Sequence, residues 1–74
     1  MVRHDRIEIN PDVMFGKPVI KGTRITVEQI LYKLGAGLSP EHIVKEHPHL
    51  KVDDIHAAQQ FAADHLAGEE IIYS

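Results

Sequence analysis

The chain has no cysteine. That absence excludes disulfide staples, thiolate zinc sites and cysteine nucleophiles together. Long hydrophobic runs are also missing: no stretch approaches the ~18 apolar residues of a membrane span, and the N-terminus lacks the apolar core of a signal peptide. The expectation is a soluble cytoplasmic protein with no membrane partner. What remains is 74 residues, 43% hydrophobic and 26% charged, an ordinary globular composition. A chain of this length makes one small domain, burying roughly 60% of its unfolded surface, and a deep enzyme cleft is hard to build from it. Adaptor, regulator or subunit is the expected class.

The net charge of −3 is unevenly distributed. Residues 1–33 carry six basic side chains against four acidic ones, whereas residues 34–74 carry two against seven. A surface for phosphate belongs to the first half, and the second half repels it.

Ile7-Glu8-Ile9 alternates apolar and polar residues, and Asn10-Pro11-Asp12 follows as a turn. The β-branched run around Val19-Ile20 lies between glycine- and proline-bearing turns. Pairing of Ile7–Ile9 with Val19–Ile20 gives a short N-terminal β ribbon, which must pack on helices or on a second subunit because a lone ribbon is marginal in water. From Ile25 onward one local design recurs. Ile25-Thr26 precedes Ile30, Leu38-Ser39 precedes Ile43, and Leu50-Lys51 precedes Ile55, each with the spacing of a hydrophobic staple. Thr26 with Gln29 makes a capping box, and Pro40 follows Ser39 at the first helical position. Lys51 cannot accept a hydrogen bond from the backbone, so Asp53 is an alternative cap that would shorten the third helix.

Three helices are expected, over about 27–34, 40–47 and 52–66. The first buries Val27, Ile30, Leu31 and Leu34 and stops at Gly35 or Gly37. The second buries Ile43 and Val44 and ends at Pro48. The third presents Ile55, Ala58, Ala62 and Leu66 on one stripe, with Phe61 beside it, and closes at Gly68. Pro48-His49-Leu50 reads as the turn of a helix-turn-helix. The fold class is therefore mainly α, a three-helix helix-turn-helix domain over 1–68 with a β arm over 1–26 and a tail over 69–74.

The segment Gly16-Lys17-Pro18-Val19-Ile20-Lys21-Gly22-Thr23-Arg24-Ile25-Thr26-Val27 resembles the G-K-P-x-I-x-G-T-R-I-x-V signature of the bacterial domain of unknown function 433 family. Later landmarks include Ser39-Pro40-Glu41, Pro48 and Asp54-Ile55. The resemblance implies a homeodomain-like or winged-helix-like fold with an N-terminal β element. It also implies an antitoxin-like role in a type II toxin-antitoxin system, beside a PIN-like ribonuclease that acts as the toxin. Lys51 departs from the family, where Thr or Ser is usual.

Several features admit a functional and a structural reading. Gly22-Thr23-Arg24 suits a phosphate held by backbone N–H groups, or a tight turn with Arg24 paired to a local carboxylate. Lys17, Lys21 and Arg24, flanked by Phe15, form a basic arm for DNA backbone or an acidic partner, or a charged edge that blocks strand addition. If DNA is read by the third helix, Lys51, His56, Gln59 and Gln60, with Arg24, are the candidate contacts, while Asp53 and Asp54 have the wrong sign for phosphate and suit the helix dipole. Six histidines lack the i, i+4 spacing of a zinc pair, so exposed histidines without metal or cofactor are expected. The tail residues Ile71, Ile72 and Tyr73 fit strand addition to a partner, pairing with a second copy, or folding back on the chain's own N-terminal ribbon. No nucleophile–base arrangement stands out, and no enzyme is expected. The functional expectation is a homodimeric antitoxin that binds the ribonuclease and regulates its own operator DNA. The alternative is a stand-alone DNA-binding regulator.

Overall fold

The computed structural model describes residues 2–73; Met1 and Ser74 lie outside them. The chain runs β1 (Val2–His4), β2 (Ile7–Glu8), a 3-10 turn (Met14–Gly16), β3 (Val19–Ile20), α1 (Val27–Gly35), α2 (Pro40–Glu46), α3 (Val52–Leu66) and β4 (Ile71–Tyr73). The result is a mixed domain, three helices with two short two-stranded ribbons. Among the described residues no helix is long and apolar enough to cross a membrane.

The helices begin where their side-chain chemistry dictates. Thr26 Oγ1 accepts from Gln29 N at 2.9 Å, and Ser39 Oγ accepts from His42 N at 3.1 Å, each satisfying an orphan donor of the first turn. α3 starts at Val52 behind Lys51, whose side chain makes no cap bond. Asp53 is not the cap and the helix is not shortened. Asp54 supplies the reciprocal half of a capping box instead, its Oδ2 accepting from Lys51 N at 2.9 Å. Gly37, not Gly35, lies just beyond the end of α1.

β2 and β3 pair antiparallel with Ile7 opposite Ile20 and Glu8 opposite Val19. That ribbon places Ile7, Val19 and Ile20 in the core with Val27, Ile30, Ile43, Leu50, Ile55, Ala58 and Phe61. α3 packs against both α1 and α2 and against β1 and β2.

Several expectations about burial are corrected. On α3, Ile55, Ala58 and the flanking Phe61 are buried, whereas Ala62 is half-buried and Leu66 stands 86% exposed. Leu31, Leu34 and Val44 are only partly buried against the core. The histidines also divide: His42, His49, His56 and His65 are exposed, but His4 is buried, its Nε2 2.8 Å from Asp64 Oδ2 and its ring edge-on to Phe61.

The tail folds back on its own chain. Gly68, at φ +78°, turns the backbone after α3 through the left-handed region that favours glycine. β4 then pairs parallel with β1, Val2 opposite Ile71 and His4 opposite Tyr73, and Val2 N donates to Glu70 O at 2.7 Å. Among the described non-glycine residues, positive φ occurs in the turn before β3, where Met14 and Phe15 sit at φ 48° and 58°. Side chains there cost about 1–2 kcal/mol each relative to the right-handed region.

Candidate functional site

Between β3 and the cap of α1 the chain closes a tight loop. Thr23 N donates to Ile20 O at 2.9 Å, Ile25 N to Thr23 Oγ1 at 3.0 Å, and Ile20 N to Ile25 O at 2.9 Å. Gly22, at φ +80°, makes the reversal possible. The N–H groups of Thr23, Ile25 and Val27 are all taken by the protein itself, the last by Pro18 O at 2.9 Å. Of the Gly22-Thr23-Arg24 segment, the Thr23 N–H is therefore spent within the fold, and a ligand here would meet the Lys21 and Arg24 side chains first.

Two of the side chains here are cationic. Lys21 and Arg24 project from the loop and, with His49 of the α2–α3 connection, line an open depression of about 450 Å³. Leu50 N donates to His47 O at 2.8 Å, which fixes the bend that carries His49. Arg24 makes no ion pair with any described residue, contrary to the expectation of a local carboxylate partner. Lys17 does not join this cluster. Its ammonium bonds to Glu28 Oε1 at 2.9 Å, and that hydrogen bond and charge raise its pKa.

The α3 candidates lie elsewhere. Lys51, His56, Gln59 and Gln60 are all exposed. His56 and Gln60 border a separate depression with Arg3, Arg6, Asp53 and Asp64, a surface of mixed sign. Arg6 reaches both acids at the start of α3, Asp54 at 2.9 Å and Asp53 at 3.7 Å. These carboxylates are thus partnered by a guanidinium from the N-terminal segment. Sequence reasoning missed that contact, although the position of Asp54 three residues after the N-cap was a signal for half of it. Ile71 and Ile72 are half-buried in the β1–β4 ribbon, and the Tyr73 ring sits 6.0 Å from that of Phe61. Among the described residues no group of three or more histidines and carboxylates could hold a metal ion.

A small three-helix domain, tied by two β ribbons and carrying a cationic loop at the mouth of α1, is the class these elements define. The chain belongs to the DUF433 family, proteins of unknown function, which matches residues 7–62 and so takes in the whole Gly16–Val27 segment. It is 32% identical over 65 residues to an uncharacterized protein, y4eO, of Sinorhizobium fredii. That match covers 86% of this chain and 29% of the relative, so the chain spans less than a third of the relative's length. Its fold is similar to the crystal structure of a DUF433 member from Anabaena variabilis, with a TM-score of 0.80 at 25% identity over 86% of this chain and 63% of that one.

Proposed function

We propose that this chain is a binding module of the antitoxin type, neutralising a PIN-like ribonuclease by direct contact, with Arg24 and Lys21 on the contact surface. The partner class comes from the resemblance carried by the Gly16–Val27 segment. The observation that carries the contact is Arg24, an exposed guanidinium on a rigid loop with no ion pair of its own among the described residues. A metal-dependent nuclease gathers carboxylates around its ions, and a guanidinium matches a carboxylate through two parallel hydrogen bonds. Lys17, already bonded to Glu28, is a weaker candidate.

The test mixes the purified chain with the product of the neighbouring gene and measures complex formation together with ribonuclease activity. A stable complex with lost nuclease activity is expected. Arg24→Glu should weaken it by about 30-fold or more, the scale of a lost charge pair at an interface. Two proteins that ignore each other at micromolar concentration end this reading.

A second reading treats α2 and α3 as a helix-turn-helix and the chain as a DNA-binding regulator, with Lys51, His56, Gln59 and Gln60 facing the groove. Arg6 favours it, because its contacts with Asp53 and Asp54 offset the negative charge at the front of α3. Binding to upstream DNA should then weaken with salt at a log–log slope of about −0.9 per phosphate contact. A flat salt response removes this reading and leaves the first intact.

A further inference from the structure

We infer that His49 is the third contact group of the Arg24 loop, meeting a carboxylate of the partner as an imidazolium, so that binding in this depression takes up a proton. The inference rests on the reading of Arg24 as a partner contact, and adds to it the chemistry of the bound group and a dependence on pH.

Two segments distant in sequence build the depression, the loop before α1 and the connection between α2 and α3. Both are held in place. The loop is closed by the bonds between Ile20 and Ile25 and between Thr23 and Ile20. In the connection, Leu50 is only 2% exposed, so the core pins the chain one residue beyond His49. The His49 side chain itself is exposed, and it makes no hydrogen bond or ion pair with any described residue.

The lining is selective in sign. No carboxylate borders this depression, in a chain whose acidic residues outnumber its basic ones by 11 to 8. Three other depressions on the surface each include at least one, Asp5, Asp53 and Asp64 in the first and Glu28 in the other two. Lys21 and Arg24 are the charged groups that share the lining with His49. Along its own chain stand Glu46, His47, Lys51, Asp53 and Asp54. Each of those carboxylates already has a cation: Lys33 bonds Glu46 at 3.0 Å, and Arg6 reaches Asp54 at 2.9 Å and Asp53 at 3.7 Å. A carboxylate for His49 therefore comes from another molecule.

Imidazole is the side chain whose ordinary titration falls between about pH 5 and 8, a range in which ammonium, guanidinium and most carboxylate groups keep their charge. Lowering the pH across that range adds one positive charge to the lining and leaves an acidic partner ionised. A complex favoured by that charge must take up a proton as it forms. A protein carboxylate suits the site better than a nucleic acid does. One carboxylate side chain meets the lining alone, whereas a long polyanion laid across the loop also meets a chain of net charge −3.

Titration of the full chain with an end-blocked hexaglutamate peptide tests the inference, with Kd read from backbone amide shifts at about pH 8 and about pH 6. Binding should tighten about threefold at the lower pH, the scale of one added charge contact at a surface. Arg24→Glu should lose binding at both pH values. His49→Gln should match the parent at the higher pH and lack the gain at the lower one. His42→Gln, on α2 outside the depression, should keep the gain. A gain that persists in His49→Gln overturns the inference, as does one that disappears in His42→Gln. No binding at millimolar peptide, or binding indifferent to Arg24, also overturns it. So does a thymidine hexanucleotide that binds more tightly than the peptide with the same dependence on Arg24 and His49, which assigns the depression to phosphate. Failure of the antitoxin reading is a separate result, a ribonuclease that ignores the chain however the peptide behaves.

Discussion

Arg6 and Asp54 are 48 positions apart, yet Arg6 Nη1 donates to Asp54 Oδ1 at 2.9 Å while Asp54 Oδ2 accepts from Lys51 N at 2.9 Å. One carboxylate thus caps α3 and anchors the N-terminal segment to it. Its side chain is only 10% exposed, so both bonds are largely shielded from water. Asp54→Ala should destabilise the domain by about 2 kcal/mol, combining a lost cap with a half-buried charge-assisted hydrogen bond. Urea unfolding measures the change, and a loss below a few tenths of a kcal/mol would show that water replaces both bonds.

Lys51 occupies the N-cap at φ −115° and ψ 160°, the extended geometry of a cap, but with no acceptor to offer. Lys51→Thr should stabilise by about 1 kcal/mol, because the introduced hydroxyl can accept from Asp54 N and complete the box that Asp54 already half forms. Thermal melts of the two chains decide it. A decrease would mean that the lysine stem has a packing role larger than the missing cap.

His4 ties β1 to α3 through Asp64 at 2.8 Å and rests edge-on against Phe61, with ring centroids 5.5 Å apart. His4→Ala should cost about 2 kcal/mol in lost packing and hydrogen bonding. It should also speed amide hydrogen exchange in the β1–β4 ribbon, which carries His4, more than in β2–β3. Uniform acceleration across both ribbons would place the loss in global stability alone.

Lys33 Nζ donates to Glu46 Oε1 at 3.0 Å, linking α1 to α2. That bond, followed by the Lys33 and histidine charges, holds the Glu46 carboxyl below its ordinary value of 4.5. A carboxyl depressed on folding stabilises fully above its unfolded pKa, and the contribution disappears as pH falls through the lower folded value. Lys33→Met, which keeps the apolar stem, should therefore lower the melting temperature at pH 7 and leave it nearly unchanged at pH 3. Equal shifts at both pH values would trace the effect to the stem instead.

The basic loop was legible in part. Its residues, its sign and its place before the first helix followed from the order of Lys21, Gly22, Thr23 and Arg24 in the chain. The lack of an ion pair between Arg24 and any described residue, and the arrival of His49, did not, because both depend on how the α2–α3 turn meets the β3–α1 loop. Lys17 looked equivalent to Lys21 in sequence, and only the tertiary structure put Lys17 against Glu28 of α1 and Lys21 in the depression beside Arg24 and His49.

The sequence by itself determined where each helix starts and ends, within about a residue, and that Ile7 pairs near Val19-Ile20. Caps, staples and turn residues act over three or four positions, so the chain carries that information locally. Tertiary structure alone decided that Leu66 is exposed, that His4 meets Asp64, that Arg6 holds Asp54, and that the tail returns to β1. A 3.6-residue period marks an apolar stripe but not how much of it a neighbour covers. At 1.5 Å per residue the nine residues of α1 span about 14 Å and the fifteen of α3 about 22 Å, so the last turn of α3 outruns the helix that would bury it.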